Sequence, residues 1–331
     1  MVATGRLLAV SLLGWLFAIG FLALSLANVG SADEGPAETA AVVNGQVITV
    51  ADVDALVKKA FRGRKIQPAA LAAIQAQTLS QLIDRRLVAG HLDTQGISVD
   101  AKQVDASIVQ FKKQLELQKL SFDDFLKKDG LTAEMLRRKV AWQMNWRRYT
   151  AKTLTDAALS EFFQQHRRAL DGSQVKVSHL LLQVNGPATP DQAARLRGQT
   201  ALLRERIVSG DLSFAGAVSQ FSQGTKKAGG DLGFIARGGA MPEPFAKAAF
   251  ALEKGEISAP VTTPFGVHLI LCVDIKPGNK KLADVRKKVR LQAAAAAFAK
   301  IALAQRAKAK IEFTGKSPYF RPSGGELVTP R

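Results

Sequence analysis

The spacing of apolar residues changes several times along the chain, and each change predicts an element. Leu7–Ala27 is apolar on every face, interrupted only by Ser11, Gly14, Gly20 and Ser25 and preceded by Arg6. A surface helix of a soluble domain keeps a polar face. This run is long enough to cross a bilayer and has the layout of a signal peptide. Small residues at Ser25 and Ala27, or at Gly30 and Ala32, suit cleavage, and no cysteine follows to carry a lipid. Residues 1–32 therefore read as a signal peptide or a retained anchor, with membrane association through 7–27 in the second case. Both place the remainder in the periplasm or another extracytoplasmic space.

Residues 33–40 are a polar linker. Val42-Val43-Asn44-Gly45-Gln46-Val47-Ile48 then places two short apolar runs around Asn-Gly, the signal of a hairpin. Thr49 with Asp52 forms a capping box that opens a helix to about Phe61, and Pro68 opens a long amphipathic helix closed by Gly96. Helical spacing continues near 100–119, 121–129, 132–152 and 155–169, with Phe111, Leu115, Phe122, Phe125, Leu136, Val140, Trp142 and Trp146 recurring along it.

At Asp171-Gly172-Ser173 the period shortens. Val175–Val184 reads as a strand and Asp191–Ser209 as a helix. A glycine-rich stretch and a short helix near 244–251 follow, and Val261–Thr263 and Val267–Asp274 close the segment as strands. Residues 280–310 are one Ala-rich helix. Its stripe of Leu282, Val285, Val289, Ala293, Ala296 and Leu303 needs a cover, which helices 51–169 can supply. Ile311-Glu312-Phe313 alternates like a short strand. It is expected to join the 42–48 hairpin, which is too small to stand alone.

Composition narrows the chemistry. The 331 residues carry 46 Lys+Arg against 28 Asp+Glu, and residues 277–331 hold 13 basic and 3 acidic side chains. Such a tail suits an anionic surface, but export argues against nucleic acid, and no nucleic-acid partner is expected. One cysteine, Cys272, excludes an intramolecular disulfide, a CxxC pair and a cysteine-ligated zinc. No GxGxxG, HExxH or GxSxG word is present, so no metal site and no cofactor are expected.

The chemistry the chain does carry lies in residues 175–276. Val177-Ser178-His179-Leu180-Leu181-Leu182, Phe221-Ser222, Gly229-Gly230-Asp231-Leu232-Gly233-Phe234 and Arg237-Gly238 come in order. Met241, Pro244-Phe245, Gly255-Glu256-Ile257-Ser258 and Thr263-Pro264-Phe265-Gly266-Val267-His268-Leu269-Ile270 complete the series. In these words the segment resembles the parvulin family of peptidyl-prolyl cis/trans isomerases over its whole length. The resemblance implies a small antiparallel sheet flanked by helices. It also implies catalytic positions at His179, His268 and Thr263, and an apolar pocket for the proline ring from Leu232, Met241, Phe245 and Phe265. Parvulins usually carry Cys or Asp where this chain has Gly224, which removes a polar side chain from the catalytic set. Gln223 and Thr225 are the nearest polar alternatives. The loop Gln183–Asp191 has no Lys or Arg, so a phosphate-directed specificity is not expected. Cys272 reads as buried and inert.

Outside that segment, Ala41-Val42-Val43-Asn44-Gly45-Gln46-Val47-Ile48, Leu82-Ile83-Asp84 and Leu126-Lys127-Lys128-Asp129-Gly130-Leu131 resemble the exported SurA/PrsA-type foldases. The combined expectation is an α+β chain in which a parvulin domain (171–277) is inserted into a mostly helical, SurA-like chaperone domain. That domain would comprise 33–170, with 278–314 packing back on it and 315–331 as a tail. The implied function is peptidyl-prolyl isomerisation and chaperoning, with unfolded or proline-containing polypeptides as clients. The alternative is a catalytically weak parvulin domain that serves only to bind peptide.

Overall fold

The computed structural model describes residues 38–61, 66, 68–129, 131–183, 190–224, 229–314, 321–323 and 326–328. The apolar run 7–27, Thr225, most of the 183–191 loop and part of the C-terminal tail lie outside these residues. Two compact units divide the chain. One comprises the described residues up to Thr155 together with those from Ala294 onward, and the other comprises 156–293.

The first unit, called here the helical unit, begins with β1 (Thr39–Val43) and β2 (Gln46–Thr49), an antiparallel hairpin. Asn44 and Gly45 both take positive φ at its turn, 47° and 80°. That is the pairing a tight hairpin turn demands. The Thr49 capping box is present: the Asp52 amide donates to Thr49 Oγ1 at 3.1 Å and the Thr49 amide to Asp52 Oδ2 at 2.9 Å. It opens α1 (Val50–Phe61), which is followed by α2 (Pro68–Thr94), α3 (Ala101–Leu117), α4 (Phe122–Asp129) and α5 (Ala133–Thr153). Helix α2 stops where Gly96 turns left-handed, at φ 67°, and the Ile97 amide returns to the Leu92 carbonyl at 2.9 Å.

The end of the chain completes this unit. Strand β7 (Ile311–Phe313) pairs antiparallel with β1, Val42 opposite Glu312, giving the order β2-β1-β7. Ile48, Leu79, Leu82 and Ile83 are fully buried beneath the sheet with Ile311 and Phe313 against them. On α11 (Leu282–Arg306), Ile301 and Ala302 are buried, while Ala296 is exposed and Leu303 is 73% exposed. The expected stripe is therefore corrected over its last turns, where the inner face passes through 301 and 302. Arg306 fixes the helix end by reaching Asp84 at 2.5 Å and the Ser80 carbonyl at 2.9 Å.

The second unit, the sheet unit, is built on a four-stranded antiparallel sheet of order β4-β3-β6-β5. Its strands are β3 (Gln174–Gln183), β4 (Asp231–Ala236), β5 (Val261–Thr263) and β6 (Gly266–Lys276). Helices α8 (Pro190–Val208), α9 (Phe214–Phe221) and α10 (Glu243–Ala251) flank it. Strand β4 falls within the stretch that reads as merely glycine-rich, because Gly233 breaks the alternation that marks a strand. Helices α6 (Asp156–Gln165) and α7 (Arg167–Leu170) belong to this unit, as does α11 up to Ala293. As a compact body the sheet unit runs from 156 to 293, and so takes in residues on both sides of the 171–277 segment marked out by the sequence words. Hydrogen bonds tie two of these flanks to it. Arg168 donates to the Leu252 carbonyl at 2.5 Å and to Glu253 at 2.8 Å, and the Lys280 amide donates to the Asp171 carbonyl at 2.9 Å.

Candidate active site

Strands β3 and β6 run side by side with Leu181 opposite His268 and His179 opposite Ile270. The two imidazoles therefore project from adjacent strands, two residues out of register. Their Nδ1 atoms approach to 3.3 Å and the rings lie 22° from parallel, with centroids 5.5 Å apart. On the far side of His268, strand β5 places Thr263 Oγ1 2.8 Å from Nε2. The Phe265 amide donates to that same oxygen at 3.1 Å.

The direction of the hydrogen bonds depends on which nitrogen of His268 carries the proton, and the short Thr263 contact suits the tautomer in which Nε2 accepts. The Thr263 hydroxyl proton has two acceptors within reach, His268 Nε2 at 2.8 Å and the Gly266 carbonyl at 3.5 Å. The shorter is the hydrogen bond and the longer is at the edge of the range. With Nε2 accepting, His268 carries its proton on Nδ1 and donates to His179 Nδ1. His179 then carries its proton on Nε2, a buried atom with no hydrogen-bond partner among the described residues. A Cβ on Gly224 would stand 3.3 Å from that atom and 3.3 Å from Leu181 Cβ. Gly224 therefore occupies the position from which a side chain would meet His179.

Burial keeps both rings uncharged. His268 is held down to about 4 by desolvation and by the neighbouring His179, and desolvation also lowers His179. Phe245 supplies much of that burial. It is 1% exposed and sets its ring edge-on to both imidazoles, with centroids 6.0 Å from His179 and 5.3 Å from His268. Leu232 and Met241 are half-buried and pack in the same cluster, with Ile235, Ala249 and Ile270. Phe265 stands apart: its ring is 57% exposed, and it serves the network through its amide.

Three further residues support the site. Ser222, 1% exposed, receives the Leu181 amide at 3.1 Å and the Gly224 amide at 3.3 Å, pinning the turn that carries Gly224 onto β3. Gln223 accepts the Gln183 amide at 2.6 Å, so it is committed to the strand edge. Gly230 has φ 81°, and its carbonyl accepts the His179 amide at 2.9 Å. A Cβ there would overlap the His179 carbonyl oxygen. The adjacent glycines 229 and 230 were the signal for that close approach. Cys272 is fully buried and its thiol is pushed up by desolvation, which makes it unreactive.

Comparison with known proteins gives the same two parts. Residues 179–274 match the PPIC-type PPIase domain, and residues 6–150 match the SurA-like N-terminal domain. Chaperone SurA of Bordetella pertussis is 35% identical over 281 residues, covering 75% of this chain and 54% of that protein. Chaperone SurA of Chromohalobacter salexigens is 25% identical over 287 residues, covering 82% and 65%. The chain thus spans less than two thirds of the length of these curated relatives. Among solved structures, the peptidylprolyl isomerase PrsA of Bacillus anthracis aligns at 23% identity with a TM-score of 0.36, over 70% of this chain and 96% of that one. This chain carries a parvulin-type (PPIC-type) peptidyl-prolyl isomerase domain joined to a SurA-like N-terminal domain.

Proposed function

We propose that the protein is an exported peptidyl-prolyl cis/trans isomerase and folding chaperone for unfolded secreted or outer-membrane proteins. The observation that carries this reading is the buried line Thr263–His268–His179 lying under Phe245, with Leu232 and Met241 packed alongside. Rotation about an X-Pro bond faces a barrier of about 18–20 kcal/mol from amide resonance. Resonance separates charge, so a dry apolar surface favours the twisted, less polar amide over the planar one. In this reading Leu232, Met241 and Phe245 seat the proline ring. The neutral His pair, held by Thr263, keeps a hydrogen-bonding but uncharged floor beneath the rotating bond. The signal-like run at 7–27 supports an extracytoplasmic location. Among the described residues, no helix is long and apolar enough to cross a membrane.

A protease-free prolyl-isomerisation assay on the full chain tests the catalytic half. Met241→Ala is expected to lower kcat/KM at least tenfold, about 1.4 kcal/mol of barrier. A wild-type rate equal to the uncatalysed rate would retire the catalytic claim. It would leave the second reading, a peptide-binding parvulin domain, which is favoured by the unpartnered Nε2 of His179 beside Gly224. Suppression of client aggregation by the full chain tests the chaperone half.

A further inference from the structure

The helical unit holds a buried positive charge that no described residue pairs with. Arg85 on α2 is 8% exposed, and its Nε has no hydrogen-bond partner. Among the described residues no hydrogen bond or ion pair reaches its guanidinium; its neighbour is the ring face of Trp142, 5.0 Å from Cζ. Desolvation lowers its affinity for its proton to about 10. An unpaired buried charge is costly, and one aromatic face offsets only part of that cost.

The charges around it add to the imbalance. Lys139, one turn before Trp142 on α5, is lowered by desolvation and feels the positive fields of Lys59 and Arg85 along with the negative field of Asp129. Arg86 is lowered by desolvation, a shift that the negative field of Asp52 opposes and the positive field of Arg138 adds to. Three of the five basic side chains have named polar partners. Lys59 lies 3.6 Å from Asp129, Arg138 lies 3.3 Å from Glu134, and Arg86 donates to Gln46 Oε1 at 3.1 Å and the Val47 carbonyl at 3.2 Å. Arg85 has none. Beyond it an aromatic wall continues: Trp142 stacks on Trp146 at 5.9 Å, Trp146 on Tyr149 at 5.3 Å, and Phe298 meets both tryptophans edge-on. All four of these rings are only half-buried.

We propose that Arg85 and Lys139 form a carboxylate-recognition site on the helical unit, occupied by an acidic residue of an extended polypeptide that lays a neighbouring aromatic side chain against the Trp142–Trp146 wall. This rests on the chaperone reading above and names the class of client sequence that reading would favour. A guanidinium accepts a planar carboxylate through paired donors. The chain's formal charge of +18 draws acidic segments toward it. The nearby carboxylates of Asp129 and Glu134 oppose a doubly charged phosphate more strongly than a single carboxylate, so the commitment is to acidic peptide.

The test is calorimetric titration of the full chain with two proline-free peptides, one with Asp beside Phe and the other with Asn in place of each Asp. The acidic peptide is expected to bind about tenfold tighter, ~1.4 kcal/mol. Arg85→Gln is expected to erase most of that preference. Lys139→Gln, at a more open position, should erase part of it, and it keeps the test decisive if the Arg85 variant does not fold. Equal binding of both peptides by the wild type would overturn the carboxylate site while leaving the chaperone reading intact. Binding of neither peptide, with no suppression of client aggregation, would overturn both. Displacement of the acidic peptide by inorganic phosphate, but not by chloride at matched ionic strength, would assign the site to a free anion and overturn the commitment to peptide.

Discussion

In the sheet unit the buried polar side chains at the site are strung in a line. Thr263 is fixed by the Phe265 amide, His268 by Thr263, and His179 by His268, and the line ends on one unpartnered atom, His179 Nε2. In the helical unit the buried guanidinium of Arg85 lies over the face of Trp142 with no hydrogen bond or ion pair among the described residues. The first arrangement is rigid because each donor's direction is set by the one before it. The second stores an unmet demand for a counter-charge. A line of that kind suits a surface against which a bond must rotate in one geometry. An unmet charge beside aromatic rings suits a surface that waits for a partner.

The sharpest way to break the sheet unit, and only that unit, is at Gly230. Its φ of 81° is costly for any side chain, and a Cβ would be driven into the His179 carbonyl oxygen. Backbone on one side leaves no flexible neighbour to move. Gly230→Ala is expected to cost on the order of 3 kcal/mol or more. It should abolish isomerase activity and remove the calorimetric transition of the sheet unit while the transition of the helical unit persists. Retention of both transitions and full activity would mean that the β3–β4 clamp does not set the position of His179.

That clamp also marks the limit of what the sequence conveyed. Three of the four strands of the sheet unit were legible from alternation, and the family that the ordered words from Val177 to Ile270 resemble named His179, His268, Thr263, Leu232, Met241 and Phe245 together. The pairing of β7 with β1 was likewise legible, since Ile311-Glu312-Phe313 alternates and the hairpin needs a third strand. What escaped were features that depend on distant backbone. The role of Ser222 rests on the Leu181 amide, and β4 is disguised by its glycines. The inner face of α11 is decided by what α2 and α5 present to it. Arg85 escaped for the same reason. On a helical wheel an arginine reads as wet surface, and its burial beside Trp142 of α5 shows only in the packed structure.

Acid should separate the units less drastically. Between the ordinary imidazole value of 6.5 and the value of about 4 reached by His268, the unfolded chain binds a proton that the folded sheet refuses. His179 is shifted in the same direction by burial. Folded stability is therefore complete above pH 6.5 and falls as the pH drops toward 4. The melting temperature of the sheet unit is expected to decline by several degrees over that window. In a His179→Leu, His268→Leu double variant the decline should flatten between pH 6.5 and 5. An unchanged slope in the double variant would show that other groups titrate there, and that the His pair is not held neutral by its burial.

The smallest expected effect is the most informative about the chemistry. Gly224 does not take a left-handed φ, so a side chain is permitted there by the backbone. Its Cβ would lie 3.3 Å from His179 Nε2, a spacing that asks the ring to give by a few tenths of an ångström. Gly224→Asp would present a carboxylate to His179 Nε2, which has no partner among the described residues. The new charge-assisted hydrogen bond is worth about 1.5–3 kcal/mol, and desolvating the carboxylate costs a comparable amount, so stability should change by less than about 1 kcal/mol. The electrostatic change is larger in relative terms. A carboxylate against the imidazole favours the protonated ring, and the titration of His179 followed by NMR should move upward. If the missing side chain limits turnover, kcat/KM should rise between threefold and tenfold, ~0.7–1.4 kcal/mol. Gly224→Ala, which adds bulk without charge, should leave both readings near the wild type. An upward shift in the His179 titration with no gain in rate would separate the two effects. The partner of Nε2 would then tune the ring but not the rotation, and the apolar seat of Leu232, Met241 and Phe245 would carry the catalysis alone.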